Sequence, residues 1–149
     1  MRTMYRAYVL EHEGYTYPQL LCQTEVIGDD EEKEYNERQL QDYIDDGYTL
    51  ESALITTEKE LYLKFKLKYR LGDLRHTHQR YVEYIEDLKR KNTPKEVIDD
   101  TIACQTEYEE VLMKQVASVV SRCMREEIEV EDELAISCYN WRQAQMLNC

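Results

Sequence analysis

Residues 67–88 read LKYRLGDLRHTHQRYVEYIEDL, and large side chains recur there at alternating steps of four and three positions. Steps of four and three over three heptads keep a row of side chains on one face of an α-helix, where it packs against a second helix. We therefore predict a long helix. We extend it back through residues 60–68, although the alternation of apolar and basic side chains there also fits a strand.

A second row with the same spacing runs from Ile98 to Cys123. Just before it, Thr93, Pro94 and Glu96 have the order of an N-cap, a first helical residue and a capping-box partner. Two long rows joined by so short a link predict an antiparallel helical hairpin. Its predicted seam consists of Leu67, Leu71, Leu74, His78, Tyr81, Ile85, Leu88, Ile98, Ile102, Leu112, Val116 and Val119.

The residues before the hairpin are more mixed. Residues 4–10 and 19–27 have the Tyr, Val and Leu content of strands, with a turn signal at Glu13 and Gly14. The acidic run 28–32 is expected to be a solvated loop. A helix is expected from Tyr35 until Gly47 ends it, and a second short helix capped by Thr49 is expected to follow.

After the hairpin, Leu134, Cys138, Trp141 and Gln145 form a last helical stripe. The expected fold is therefore mainly α (α+β), in a single domain over residues 1–149. Residues 1–57 would form a small antiparallel β element with short helices. Residues 58–149 would form a long antiparallel hairpin and a C-terminal helix, packed as a three-helix bundle.

The chain is strongly acidic, with 31 Asp and Glu against 19 Lys and Arg and a formal net charge of −12. Residues 1–57 carry 13 acidic and 4 basic side chains, and residues 93–149 carry 12 and 5, whereas residues 58–92 carry 10 basic and 6 acidic. This charge disfavours duplex nucleic acid and anionic membranes as direct partners. Either the basic segment pairs internally with the acidic one that follows it, or the acidic segments face a basic partner.

Tyrosine is enriched to 13 residues, against one Phe and one Trp, and seven of them lie in the acidic first third. Tyr is amphipathic and common at protein interfaces. We therefore expect a protein partner with a basic surface, such as a nucleic-acid-binding enzyme. The candidate contact residues are Tyr15, Tyr17, Asp29, Asp30, Glu31, Glu32, Tyr35, Asp42, Asp45 and Asp46.

Catalytic motifs are missing from the sequence. It has no P-loop, G-x-S-x-G or G-x-G-x-x-G segment, and His76 and His78 would point about 200° apart on a helix. We predict no catalytic residue, no metal ligand and no cofactor. Five cysteines without a C-x-x-C pair, and no apolar run of about 20 residues, indicate reduced thiols in the cytoplasm, the host cytoplasm if the protein is viral.

The function expected from these features is non-catalytic. The protein would occlude a basic surface of a partner, as a DNA-mimicking inhibitor of a host nucleic-acid enzyme encoded by a virus or mobile element does (an anti-restriction or anti-CRISPR type of protein). The first alternative is a self-associating structural or adaptor protein, a homodimer formed through the coiled-coil seam. The second is a metal-dependent hydrolase.

Overall fold

The computed structural model describes residues 2–15, 17–27 and 30–148, with the backbone alone at residues 27 and 30–32. The chain divides into two compact units, Met1–Tyr69 and Arg70–Cys149. The predicted fold class is confirmed: an N-terminal antiparallel sheet, a helical hairpin and a C-terminal helix. The elements are β1 (Thr3–Glu11), β2 (Gln19–Ile27), α1 (Asp30–Asp45), β3 (Thr49–Thr56), α2 (Lys59–Arg90), α3 (Lys95–Arg125) and α4 (Glu133–Leu147).

The first unit is built around β1, the central strand of an antiparallel sheet in the order β2-β1-β3. Six consecutive residues of β1, 5–10, are buried because both faces of the strand are covered. On one face, Tyr8 and Leu10 pack with Leu40 of α1. On the other, the ring of Tyr5 lies 5.0 Å from the ring of Tyr62 in α2. The sheet is thus a middle layer with a helix on each side.

The short helix predicted from Thr49 is wrong, because residues 49–56 form strand β3. β3 pairs antiparallel with β1, from Tyr5 opposite Thr56 to Glu11 opposite Thr49. Leu50, Ala53 and Leu54 fit a helical face, but Thr49, Ile55 and Thr56 are β-branched and favour a strand. The backbone N–H and C=O groups along the edge of β1 pair with residues 49–56, and this pairing favours the strand over the helix.

The acidic run predicted as a loop is also corrected, because α1 already begins at Asp30. Residues 28 and 29 lie outside the described part of the chain. Carboxylates in a first turn complement the positive end of the helix dipole, so acidic residues there favour the helix. The helix ends where predicted, at Gly47 (φ 96°). The Gly47 and Tyr48 N–H groups donate to the carbonyls of Ile44 and Tyr43, at 3.1 and 3.0 Å, in a Schellman motif.

The second unit contains the hairpin, and residues 60–68 preceding it are helical, as expected. α2 ends at Arg90, two residues before a left-handed Asn92 (φ 54°), close to the predicted stop. The capping box predicted for α3 is wrong: Pro94 is the N-cap, without a side-chain cap. Most of the predicted seam is buried: Leu67 in the first unit, and Leu71, Leu74, Ile85, Leu112, Val116 and Val119 in the second. Three seam residues are half-buried: Tyr81, Leu88 and Ile98. The seam residues Ile102 and His78 are exposed.

The C-terminal helix α4 begins at the N-cap Asp132, and Ala135 and Cys138 form its buried face. Asp132 Oδ1 accepts the Ala135 N–H at 3.1 Å, and its Oδ2 accepts a hydrogen bond from Arg75 of α2 at 2.6 Å. Burial by itself raises the pKa of Asp132, but the hydrogen bonds from Arg75 and Ala135 outweigh it and lower that pKa below its ordinary value. One carboxylate therefore both caps α4 and ties it to α2.

We predict that Asp132→Ala lowers the free energy of unfolding by about 1–2 kcal/mol, as the loss of an N-cap does. Because the folded-state pKa is lowered, the stabilisation is present at neutral pH and is lost as pH falls below about 4. Asp132→Asn keeps a capping side chain without the charge, so it should flatten the acid dependence at a smaller cost. Urea titrations at pH 7 and pH 3 measure both effects. An unchanged acid dependence in Asp132→Asn would contradict this assignment.

The C-terminus of α3 contains a residue under backbone strain, Glu127, with φ 57°. The Glu127 and Ile128 N–H groups close a Schellman motif on the carbonyls of Met124 and Cys123, at 3.2 and 2.8 Å. A side chain costs about 1 kcal/mol in this left-handed conformation, and glycine avoids that cost.

We therefore predict that Glu127→Gly raises the free energy of unfolding by up to about 1 kcal/mol. Glu126→Gly is the matched control, because Glu126 has φ −94°, where glycine has no conformational advantage. The control should be destabilised in the same urea titration. Equal effects of the two substitutions would show that the strain at Glu127 is not the cause.

Candidate cation-binding pocket

The turn between β1 and β2 is held by its first residue, His12. The Tyr15 N–H donates to the His12 carbonyl at 2.9 Å, and the Gly14 N–H donates to His12 Nδ1 at 3.0 Å. The ring therefore accepts a hydrogen bond at Nδ1, which places the proton of the neutral ring on Nε2. This contact fixes the His12 ring against the turn.

The turn between α1 and β3 lies beside it and adds Tyr48. The Tyr48 ring centroid is 4.5 Å from that of His12 and 5.0 Å from that of Tyr43, the latter edge-on. The Tyr15 and Tyr48 hydroxyls are 3.4 Å apart. Pairing of Glu11 with Thr49 at the end of β1 brings these two turns together. Four aromatic rings from three segments thus form one cluster.

A cavity of about 390 Å³ opens next to this cluster. Among the described residues, its lining has two carboxylates, Glu11 and Glu13, and neither Lys nor Arg. Tyr15 and Tyr17 also line the cavity. Aromatic faces and carboxylates both attract cations, the former through the ring quadrupole. The cavity is therefore chemically suited to a Lys or Arg side chain.

The C-terminal end of α1 adds negative charge near the cavity. The last turn of α1 has no basic residue, and Asp42, Asp45 and Asp46 are exposed there. The carbonyl end of a helix is already negative, so carboxylates at that end cost about 0.3–1 kcal/mol each. Gln41 relieves part of this by donating to Asp45 Oδ1 at 2.9 Å. The helix dipole therefore disfavours the three aspartates at this position.

The ionisation of Tyr48 reflects the same surroundings. The hydrogen bond with Tyr15, burial and the nearby Tyr15, Tyr43 and Asp46 raise the pKa of the Tyr48 phenol. Tyr48 is therefore neutral at physiological pH and presents an uncharged ring face and a hydroxyl.

The predicted contact residues do not form a single site. Tyr15, Tyr17 and Asp46 lie at or next to the cavity, and Asp42 and Asp45 lie in the last turn of α1. Tyr35 is exposed about 15 Å further along the helix, where its hydroxyl accepts a hydrogen bond from Gln39 at 3.1 Å. Asp30, Glu31 and Glu32 begin α1, about 20 Å from Asp45. Asp29 lies outside the described residues.

Sequence reasoning missed the carboxylates Glu11 and Glu13 and the rings of His12, Tyr43 and Tyr48. The local signals were present, because each turn contains a glycine next to aromatic side chains. Their proximity depends on β3 pairing with β1, whereas the sequence pattern predicts a short helix capped by Thr49. Because strand β3 was not predicted, the sequence did not indicate that these side chains lie close together.

The second unit has a larger cavity, of about 500 Å³, whose apolar floor includes Leu74, Met113 and Leu134. The polar groups at its rim form two pairs: His78 Nδ1 lies 2.6 Å from Glu109 Oε1, and Arg75 binds Asp132. Within the described part of the chain, none of its lining residues is a Ser, Thr or Cys nucleophile. These groups already bind one another, so the cavity is a weaker candidate for binding a charged partner.

The described residues contain no group of three or more His, Cys, Asp or Glu side chains arranged to hold a metal ion. Burial raises the pKa of the Cys22 and Cys138 thiols, and Asp132 adds to the effect at Cys138. Neither thiol is therefore activated as a nucleophile. No helix in these residues combines the length and apolar character that crossing a membrane requires.

Comparison of the chain with protein-family models, with curated proteins and with solved structures found no match.

We predict that Tyr15→Phe lowers the pKa of the Tyr48 phenol towards its ordinary value, because it removes the hydrogen bond that contributes most to the shift. NMR titration of ¹³Cζ-labelled tyrosine measures it. Tyr35→Phe is the control, since Tyr35 accepts its hydrogen bond on α1 from Gln39. An unchanged Tyr48 pKa in Tyr15→Phe would contradict the contact between the two hydroxyls.

Proposed function

We propose that the protein is a non-catalytic binding protein that covers a basic surface of another protein. A Lys or Arg side chain of that surface would enter the cavity lined by Tyr15, Tyr17, Glu11 and Glu13. The observation that carries the proposal is this combination of tyrosine rings and carboxylates around one cavity. An enclosed cation gains from both, at about 0.5–2 kcal/mol for a ring face.

The charge of the first unit supports a partner with an extended basic surface. Residues 1–69 have 15 acidic and 8 basic side chains, a net charge of −7. A surface of one sign steers an oppositely charged partner and raises its association rate, most strongly at low salt. The cavity would hold one anchoring cation, and the carboxylates at the end of α1 would face its neighbours.

The kind of partner follows from the same chemistry. Proteins with extended basic surfaces are commonly those that bind nucleic acid, because neutralising phosphates requires clusters of Lys and Arg. The proposal is therefore an inhibitor that mimics the charge of nucleic acid and is encoded by a virus or mobile element. Five cysteines without a C-x-x-C pair favour the cytoplasm as the place of action.

The first test is affinity capture of the full-length chain from its native cell, with the captured proteins identified by mass spectrometry. The proposal expects a basic, nucleic-acid-handling protein whose binding weakens steeply between about 0.05 and 0.5 M salt. A captured partner that is acidic, or binding that does not depend on salt, would contradict it.

The second test assigns the contact to the cavity. We predict that Glu11→Gln with Glu13→Gln weakens binding to the captured partner at least tenfold, about 1.4 kcal/mol or more, in calorimetry at physiological salt. Glu34→Gln with Glu58→Gln removes the same charge at exposed positions outside the cavity lining and should change the affinity less than threefold. Equal losses in the two double variants would show that only net charge matters.

A further inference from the structure

A second apolar row on α3 lies beside the row that packs against α2. Val97, Thr101, Cys104, Tyr108 and Val111 follow one another at steps of four, three, four and three, and we call these five residues the α3 stripe. Val97 is 48%, Tyr108 51% and Val111 50% exposed. The stripe lies roughly a quarter-turn around α3 from the buried seam that contains Leu112 and Val116. α3 therefore has an apolar face whose large side chains are about half exposed.

The positions of two contacts show which side of the hairpin this face occupies. Arg70 of α2 donates to Gln115 Oε1 at 3.3 Å, and Gln115 continues the stripe four residues after Val111. Leu134, next to the start of α4, lines the larger cavity with Glu109 and Met113, on the other side of the seam. The stripe is thus on the side away from Leu134.

α2 contributes one more ring to this side. Tyr84 lies two heptads after Arg70, so it falls near the same side of α2, and it is 53% exposed. The exposed face includes two tyrosine rings and two valines along about 20 Å of helix. Exposed apolar faces of this kind, with a charged border, are typical of binding sites.

The charged border of the stripe is acidic. Glu96, Asp100 and Glu107 follow the edge of the stripe that points away from α2. Residues 95–111 contain six acidic side chains and one basic one, Lys95. A helix that covers the stripe and presents Lys or Arg along this edge would bury apolar surface and neutralise the row.

We propose that the α3 stripe binds a cationic amphipathic helix of a partner protein, laid along α3 with its apolar side chains on Tyr108 and Val111. Its basic side chains would reach Glu96, Asp100 and Glu107. A second copy of this chain is the poorer occupant. In an antiparallel two-fold pairing of α3 with α3, the acidic row would face its own copy. The site lies in the second unit and does not depend on the cavity of the first.

The test uses the full chain and a fluorescein-labelled 18-residue peptide of Leu and Lys, with Leu at alternating steps of three and four. A scrambled peptide of identical composition is the reference. Fluorescence anisotropy at about 0.15 M salt, where exposed charges are screened beyond about 8 Å, compares their dissociation constants. We expect the amphipathic peptide to bind at least tenfold more tightly. Equal binding of the two peptides would overturn the proposal.

Substitutions then locate the site. Tyr108→Ser with Val111→Ser should weaken peptide binding at least tenfold. Asp100→Asn with Glu107→Gln should weaken it at least threefold. Asp99→Asn with Glu110→Gln removes the same charge from positions farther around α3 and should change binding less than twofold. If circular dichroism shows that the first pair of substitutions impairs folding, the test is the difference in peptide affinity between the two acidic pairs. If both acidic pairs change the affinity equally, the proposal is overturned.

Two further measurements separate the competing explanations. Light scattering should show that the protein is a monomer. If it is a dimer, and Tyr108→Ser with Val111→Ser dissociates that dimer, then a second copy occupies the stripe instead. Glu11→Gln with Glu13→Gln should bind the peptide within twofold of the wild type. Loss of peptide binding in that variant would overturn the assignment to α3. Failure of either proposal is therefore distinguishable from failure of the other.

Discussion

The antiparallel pairing of β1 with β3 is the interaction on which the first unit depends. It makes β1 a central strand, so that six consecutive residues are buried between two helical layers. The same pairing sets Glu11 opposite Thr49, which brings the His12 turn next to the turn that carries Tyr48. Core and candidate pocket therefore share one cause. A shift of one residue in this register would move every side chain of β3 to the opposite face.

This dependence explains which parts of the structure the sequence predicts. The α2 and α3 rows repeat over several heptads, so each added residue strengthens the same helical signal. β3 has only eight residues, and Leu50, Ala53 and Leu54 satisfy a helical spacing as well. Its state is set by a partner strand about 45 residues earlier in the chain, which no local pattern contains. The pocket was missed for the same reason, since it requires the position of a paired strand.

The ends of the helices also differ in whether the local sequence predicts them. Gly47 and Asn92 tolerate a left-handed backbone, so their residue type locates the ends of α1 and α2. Glu127 occupies the same conformation at the end of α3 with no such signal in its residue type. The Schellman hydrogen bonds are alike at all three ends. Packing of α3 therefore fixes its end despite the local cost at Glu127, a balance that local propensity does not contain.

Composition alone treats all 31 acidic residues alike, but the structure gives them different physical roles. The carboxylates at the C-terminal end of α1 oppose the helix dipole. Asp132 caps α4 and forms an ion pair with Arg75, and Glu109 is paired with His78. Glu11 and Glu13 line a cavity with tyrosine rings. Salt screens exposed charges that lie more than about 8 Å apart, so the selectivity that we propose for a basic partner would come from such shaped sites rather than from the net charge of −12.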